Sequence, residues 1–323
     1  MKRSIKKFIK IIVPAVVLLL ACFGTYEVMC EPDGPRETSE LAALVYDGDI
    51  AVAVNGNEPS FSDDELNEAG ASYFEEYSPL DELGRCGVCK AVICTEVQPP
   101  AGAKRTSLGS VTPSGWQKIG FWCRCHLIGY QLSGENANER NLITGTTRMN
   151  VYGMLPYEDM IDDYLEKYED NHVLYEVEPI YDGDNLIASG VHMQAKSIED
   201  EGEGVAFNVY VFNFEPGYII NYGRGTVVDD PDHQTTAVLK NKKSRWTGDP
   251  VRVDPAAVTG STGRIKYIYY TDSACHHRTD EGCGADYNGG PPADRGHYYV
   301  LAIVSGDNWY PQAVSNTAEL IIK

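Results

Sequence analysis

One segment of this 323-residue chain has a strong helical pattern, and it stands among runs in which apolar and polar residues alternate. In PYEDMIDDYLEKYE, Pro156 suits the first turn, acidic residues follow it, and Met160, Tyr164 and Tyr168 recur at four-residue spacing. Runs such as HVLYEVEPIY and GVAFNVYVFNF alternate as strands do and end at turn residues. The pattern therefore predicts an α+β protein that is rich in strands.

The chain is long for a single domain, and its pattern changes near residue 235. From there to the end, alternating runs are broken by Gly, Asp and Asn, and no helical pattern is present. Such a pattern is typical of a small all-β sandwich. The predicted units are a signal peptide or membrane anchor (1–30), an acidic linker (31–71), a first globular domain (72–228), a second linker (229–234) and a C-terminal all-β domain (235–323).

The N-terminus has the pattern of an export signal. MKRSIKKFIK carries five positive charges, and the apolar run IIVPAVVLLLACFG follows it. Leu19-Leu20-Ala21-Cys22 resembles a bacterial lipobox, in which Cys22 would be acylated. A lipoprotein, an uncleaved anchor and an ordinary secreted protein are all open. Each predicts an exported protein, in which disulfides are permitted. In a lipoprotein or an anchored protein, the membrane is a partner of the N-terminal segment.

The string DRGH at residues 294–297 precedes Tyr298 and an alternating apolar run. Its Asp-x-Gly-x-Tyr spacing suits a tyrosine corner, in which the Tyr hydroxyl bonds back to the main chain. The segment GHYYVLAIVSGDNWYPQAVSNTAELIIK resembles the last strands of bacterial Ig-like domains of surface proteins. The resemblance implies an Ig-like sandwich that acts as a spacer or binds a cell-surface ligand. His297 is therefore predicted to be an exposed turn residue.

A second tetrad, CRCH at residues 123–126, lies in a more informative stretch. The segment CRCHLIGYQLSGENANERNLITGTTRMNVYGMLPYEDM resembles the DNA/RNA non-specific endonucleases, and the likeness extends over residues 72–225. The DRGH signature of that family is altered here, with Cys123 and Cys125 in place of Asp and Gly. The resemblance implies a ββα-metal fold with an antiparallel sheet. It also implies a metal-dependent nuclease that acts on DNA, with RNA as a further substrate.

The resemblance assigns roles to three residues of the reaction centre. His126 is the implied general base, and a neutral imidazole can accept a proton near pH 7. Asn150 lies 24 residues after His126 and is the implied ligand of one Mg²⁺ or Mn²⁺ ion. Glu158 follows eight residues later and is implied to hold metal-bound waters. The ion would stabilise charge on the phosphate and on the leaving oxygen.

The charge of the chain limits how it can meet a polyanion. A net charge of -20 argues against a protein that coats nucleic acid by bulk attraction. Between Lys104 and Asn150, however, six Lys or Arg stand against two Glu, which predicts a locally basic cleft. Within it, the resemblance implies that Arg124 binds phosphate, that Arg105 is a second candidate for that contact, and that Asn141 acts by positioning the site or the substrate.

Other interpretations of the same residues remain open. His126 can be a core or capping histidine, and Asn150 a turn or cap residue. Arg124 can be a surface ion-pair residue, and Glu158 a first-turn carboxylate favoured by the helix dipole. The altered signature also allows a surface binding protein whose nuclease-like domain has lost activity. Structural zinc is a third hypothesis, with ligands from CGVC (86–89), Cys94 and CRCH, or from CHH (275–277) and Cys283.

Overall fold

The computed structural model describes residues 38–100, 102–279 and 289–323. The strands of the first domain are β1 (Ala51–Ala53), β2 (Glu75–Tyr77), β3 (Cys89–Ile93), β4 (Trp122–His126), β5 (Leu142–Thr146), β6 (Val173–Ile180), β7 (Gly190–Ser197), β8 (Ala206–Phe212), β9 (Tyr218–Asn221) and β10 (Thr226–Asp229). Its α-helices are α1 (Thr38–Ala42), α2 (Asp63–Ala71), α3 (Tyr130–Ser133) and α4 (Leu155–Lys167). Short 3-10 helices span Asn55–Asn57 and Glu139–Asn141, and a π-helix spans Arg148–Met154.

An antiparallel sheet of six strands, in the order β1-β8-β7-β6-β3-β2, is the centre of the first domain. The β4–β5 hairpin and α4 cover one face of this sheet. They form a common core with it, in which Ile143 of β5 and Ile161 and Leu165 of α4 are buried together with β-sheet residues such as Tyr175 and Phe207. The ββα arrangement within an antiparallel α+β domain, expected from the resemblance, is confirmed.

The predicted helix at PYEDMIDDYLEKYE is confirmed as α4, but its core face differs from the Met160–Tyr164–Tyr168 stripe. Met160 and Tyr168 are 41% and 43% exposed, whereas Ile161 and Leu165 are fully buried. The helix therefore buries residues that are spaced three and four apart, and the side chain of Met160 faces solvent.

The described part of the predicted acidic linker (31–71) belongs to the first domain, so the linker interpretation is wrong there. β1 pairs with β8, and a capping box starts α2, in which Ser62 Oγ accepts from Glu65 N and Glu65 accepts from Ser62 N. This stretch packs on the domain because the second face of the sheet is apolar. Val92 and Leu174 on that face are fully buried and require an apolar cover. The residues that provide it are Phe61, Leu66 and Ala69.

The C-terminal region contains strands and no helix among its described residues, as predicted. Its strands are β11 (Thr236–Val238), β12 (Lys242–Ser244), β13 (Ala257–Thr259), β14 (Ile265–Tyr270), β15 (Gly296–Val304), β16 (Ala313–Val314) and β17 (Ala318–Ile322). One sheet has the order β12-β17-β15-β14, with β16 beside β15, and β11 pairs with β13. The all-β character is confirmed, and the Ig-like assignment stays a prediction.

The DRGH string at 294–297 lies in this C-terminal domain. Tyr298 donates a hydrogen bond from its hydroxyl to Asp294 O at 3.2 Å, which is the bond expected of a tyrosine corner. His297 lies on β15 and not in a turn; its side chain is 46% exposed, is stacked on Tyr299, and has Nε2 3.4 Å from Glu319. The string therefore has a structural explanation.

Within the three described ranges, no helix has the length and the apolar character needed to cross a bilayer. The predicted export segment (1–30), with Cys22, lies outside the described residues, as does Cys283.

Candidate active site

Strand β4 sends alternate side chains to opposite sides. Arg124 and His126 line a cavity of about 390 Å³, whereas Cys125 is 1% exposed and lies in the core. Cys123 also packs against that core. Because successive strand residues face opposite ways, the two cysteines that replace the Asp and Gly of the signature lie on the side away from the cavity.

Gly145 provides the space for the larger Cys125 side chain. A Cβ atom on Gly145 would lie 2.6 Å from Cys125 Sγ and 2.4 Å from Met149 Cε, both well inside van der Waals contact. The hairpin therefore accommodates a cysteine at this position through a glycine on the neighbouring strand. Gly145 lies opposite Cys123 in the β4–β5 register.

The cavity brings together five of the six predicted site residues. They come from the loop before β4, from β4 itself, from the π-helix and from the first turn of α4. The residues that meet there are Arg105, Arg124, His126, Asn150 and Glu158.

The imidazole of His126 is oriented by one main-chain group. Its Nε2 atom lies 2.8 Å from the carbonyl oxygen of Asn136. Because a carbonyl only accepts, Nε2 carries the hydrogen in this arrangement, and the neutral ring presents Nδ1 as its acceptor. Burial lowers the pKa of His126, and the positive charge of Arg105 lowers it further. The hydrogen bond to Asn136 and the negative charge of Glu135 act in the opposite direction but do not outweigh them. His126 is therefore neutral near pH 7 and able to take a proton.

Asn136 was not among the predicted site residues. Its Nδ2 atom donates to Thr106 Oγ1 (2.8 Å) and Thr106 O (2.9 Å). Asn136 therefore connects His126 to the loop that carries Arg105. Its Oδ1 atom is buried without a hydrogen-bond partner in the described part of the chain. The Asn-rich segment before β5 is the available sequence signal, since Asn side chains often bond to loop main chain. Which Asn does so is not visible in the sequence.

Glu158 is a buried carboxylate that lines the cavity, with 8% of the residue exposed. Burial raises the pKa of Glu158 to about 7, although the main-chain N–H of Gly129 and the charge of Arg105 oppose this. A Cβ atom on Gly129 would lie 2.6 Å from Glu158 Oε1, so only glycine leaves the carboxylate its present position. Gly129 is thus a second residue that sequence reasoning missed.

Asn150 lies in the π-helix that leads into α4. The main-chain N–H of Leu155 bonds to Asn150 O, five residues back, as a π-helical turn requires. The Asn150 side chain lines the cavity together with Glu158. An amide oxygen and a buried carboxylate are hard oxygen ligands. They fit a small divalent ion such as Mg²⁺, which keeps several of its waters.

The two arginines of the cavity have different surroundings. Arg124 is half-buried; its Nη1 atom donates to Val111 O (3.0 Å) and Gly109 O (3.3 Å), and its guanidinium lies 5.6 Å from the Trp116 ring centre. Arg105 is exposed and lies over the Tyr130 ring at 5.1 Å. Arg124 therefore holds a loop as well as lining the cavity, and Arg105 is the more accessible cation for a phosphate.

Asn141 is fully buried and does not line the cavity. Its Oδ1 accepts from Ile128 N at 2.8 Å and its Nδ2 donates to Ile128 O at 2.9 Å. Asn141 thus holds the chain just after His126. A side chain with no exposed surface does not contact the reacting atoms, so its placement suits the positioning role and not a catalytic one.

The cysteines do not form the zinc assembly that the sequence left open. In the described ranges, no group of three or more His, Cys, Asp or Glu side chains is placed to hold a metal ion. Cys86 Sγ instead donates to Leu142 O (3.3 Å), and Cys89 Sγ to Arg140 O (3.4 Å). These thiols support the segment around Asn141. The second proposed cluster includes Cys283, which lies outside the described residues.

Comparison with known proteins identifies a matching family for part of the chain. Residues 62–199 match the model of the DNA/RNA non-specific endonuclease family. The match confirms the resemblance for this part of the chain. A deoxyribonuclease of Streptococcus dysgalactiae subsp. equisimilis is 32% identical over 129 residues, which are 36% of this chain. The matched part spans 38% of the length of that relative.

Solved nucleases have a similar but not closely superimposable structure. NucA from Streptococcus agalactiae, solved with a magnesium ion bound, is 21% identical to this chain, with a TM-score of 0.48. The superposed part is 55% of this chain and 86% of the NucA chain. Sda1 nuclease, solved with a bound zinc ion, is 26% identical and covers 49% of this chain and 80% of its own, with a TM-score of 0.45.

Proposed function

We propose that this protein is an exported, metal-dependent nuclease that hydrolyses phosphodiester bonds of DNA, with RNA as a second substrate. The observation that carries the proposal is the convergence of His126, Asn150 and Glu158 in one cavity with two arginines. The family match of residues 62–199 and the deoxyribonuclease relative support it.

In the proposed reaction, Nδ1 of His126 removes a proton from a water molecule whose oxygen forms the new bond to phosphorus. The Nε2–H group stays on the Asn136 carbonyl, which keeps the ring in position as it becomes charged. Asn150 and Glu158 are the residues that would hold Mg²⁺ or Mn²⁺. When bound, the ion supplies positive charge to the phosphate and to the leaving 3′ oxygen. The products then carry 5′-phosphates.

Electrostatics favour Arg105 as the first contact of the substrate. Arg105 is an exposed residue of the cavity lining, and its charge offsets that of the buried Glu158. An exposed basic group in a cavity lining attracts a polyanion locally even though the chain as a whole is acidic. Arg124 contributes from a more rigid position beside His126.

The orientation of the cysteines favours an active enzyme over an impaired binding protein. Cys125 is in the core, and Cys123 is on the same side of β4, so neither side chain occupies the cavity. The two residues that keep the family signature, Arg124 and His126, both line it.

The experiment compares full-length protein with His126→Ala and His297→Ala on plasmid DNA and RNA, with Mg²⁺ and with EDTA. We expect the His126 variant to lose roughly 10²- to 10⁴-fold in rate, as removal of a general base does. His297→Ala is the matched control, and because His297 is exposed in the C-terminal domain, its loss should not change the rate of cleavage. Cleavage that survives His126→Ala would refute the site. A wild type that is inactive with every metal would favour the binding protein.

We further propose that residues 1–30 direct export, with Cys22 as the site of acylation. The basic and apolar regions and the lipobox-like LLAC string support this. Labelled palmitate fed to expressing cells should enter the wild type and not Cys22→Ser. Unlabelled wild-type protein in the membrane fraction would instead indicate an uncleaved anchor. The C-terminal domain is proposed to serve as a spacer or to bind a surface ligand.

A further inference from the structure

A loop of the C-terminal domain reaches into the nuclease domain beside the candidate active site. The loop joins β15 to β16, and Trp309 lies at its tip. The Trp309 ring packs edge-on against Tyr46 (4.9 Å between ring centres) and stacks on His233 (5.3 Å). Tyr46 in turn stacks on Phe214 at 3.9 Å. Aromatic contacts thus anchor the loop on the nuclease domain.

Asn308, next to Trp309, forms a hydrogen bond with the segment that carries Asn150. Its Oδ1 atom accepts from Arg148 Nη2 at 2.8 Å. Its main-chain oxygen accepts from the Tyr46 hydroxyl at 2.7 Å. Arg148 is the first residue of the π-helix, two residues before Asn150. Asn308 therefore contacts the start of the proposed metal-binding segment from the other domain.

The remaining contacts of Arg148 show how much its position depends on this bond. Its main-chain N–H donates to Glu215 at 3.2 Å, and its guanidinium lies over the Tyr152 ring at 5.1 Å. The Nε atom is buried and has no hydrogen-bond partner in the described part of the chain. The guanidinium is thus held by the Asn308 bond together with the Tyr152 ring.

The loop is rigid enough to act as a support. The Asp307 carboxylate accepts hydrogen bonds from the main-chain N–H groups of Trp309 (3.0 Å), Tyr310 (2.9 Å) and Thr262 (2.9 Å). Side-chain acceptors that bind successive main-chain N–H groups fix a turn in one conformation. Asn308 is held between these residues and is already in place to bind Arg148.

We propose that Asn308 is a positioning residue for the nuclease site, through which the C-terminal domain holds the π-helix that carries Asn150. A π-helical turn is rare because its hydrogen bonding is less favourable than that of an α-helix, so tertiary contacts decide whether it persists. The C-terminal domain is then part of the active-site scaffold and not only a spacer. This inference rests on the proposed function for its enzymatic consequence.

The experiment uses three full-length variants. Asn308→Ala removes the acceptor for Arg148, and Asn308→Asp keeps an oxygen at the same position. Asn241→Ala is the matched control, because Asn241 Oδ1 also accepts a hydrogen bond, from Glu319 N at 2.8 Å, but this bond lies within the C-terminal domain. Amide hydrogen exchange of residues 148–154 is measured by mass spectrometry, together with the Mg²⁺ dependence of DNA cleavage.

For Asn308→Ala we expect exchange in residues 148–154 to rise a few-fold, because the lost bond to the Arg148 guanidinium is charge-assisted but lies at an exposed position. The Mg²⁺ concentration for half-maximal cleavage should rise and kcat fall, while KM for DNA stays constant. Asn308→Asp should restore exchange and Mg²⁺ dependence, and Asn241→Ala should change neither.

Unchanged exchange of residues 148–154 in Asn308→Ala would overturn the proposal. Equal changes in Asn308→Ala and Asn241→Ala would also overturn it, because they would indicate general loss of stability in the C-terminal domain. If the wild type cleaves nothing with any metal, the proposed function fails. The exchange comparison among the three variants then decides the positioning role by itself.

Discussion

Replacing Gly129 by alanine should damage the active site while leaving the fold intact. Gly129 has φ -60° and ψ 145°, an ordinary extended conformation that alanine also adopts. The added methyl group would lie 2.6 Å from Glu158 Oε1 and 2.8 Å from Glu158 Cδ. The carboxylate must therefore withdraw by roughly 0.5 to 1 Å to reach van der Waals separation.

The energetic consequences differ for stability and for rate. A Gly to Ala change at a compatible conformation stabilises the folded protein by about 0.4–1 kcal/mol, because it lowers the conformational entropy of the unfolded chain. The loss or stretching of the Gly129 N–H bond to Glu158 costs about 1 kcal/mol, so the free energy of unfolding should change little. A displacement of about 1 Å at a reacting centre, however, costs on the order of 10²-fold in rate.

The assay measures initial rates of plasmid nicking across Mg²⁺ concentrations, and urea unfolding of the same samples. Gly120→Ala is the control, because Gly120 is exposed and a Cβ there meets no atom within 4 Å. A Gly129→Ala protein with wild-type rate and wild-type Mg²⁺ dependence would refute the role of the Glu158 carboxylate. A large loss of stability would refute the claim that the effect is local.

Three further predictions follow from the same site. At saturating Mg²⁺, which keeps the metal-binding carboxylate of Glu158 ionised, cleavage should fall on the acid side with a midpoint below 6.5, because burial lowers the pKa of His126 and only its neutral form accepts a proton; a midpoint above 6.5 in a pH–rate profile at saturating Mg²⁺ would contradict this. Asn141→Ala should lower the free energy of unfolding by about 2–4 kcal/mol, because it leaves Ile128 N–H and C=O unpaired in the core; a urea titration measures this, and a loss below about 1 kcal/mol would argue against the clamp. Cys125→Gly should cost about 1–3 kcal/mol by the same titration, through the cavity it leaves, while retaining cleavage; loss of cleavage without loss of stability would contradict the placement of Cys125 in the core.

Local pattern was sufficient for several parts of this molecule. The helical pattern that begins near Pro156 became α4, and the alternating runs became strands, because hydrophobic periodicity reports which residues of one element share a face. The side of β4 on which the two cysteines lie was not predicted, and the structure places them opposite Arg124 and His126. The family resemblance supplied Asn150 and Glu158 as candidates, and both line the cavity with His126.

Other features depend on contacts between distant segments, which periodicity does not report. The acidic stretch before residue 72 looks like a linker because charged residues occupy its outer face, yet its apolar residues cover the second face of the sheet. Gly129 matters only because α4 brings Glu158 against it.

The assignment of Asn136 and Asn308 was likewise decided by tertiary structure. Each is one Asn in a loop, and its role arises from the partners that the folded chain places within hydrogen-bond distance, His126 and Thr106 for Asn136 and Arg148 and Tyr46 for Asn308. The sequence by itself determined the elements and the chemical groups available, because these depend on neighbouring residues. Tertiary structure decided which of those groups meet, because that depends on how the sheet, the hairpin and the C-terminal domain pack together.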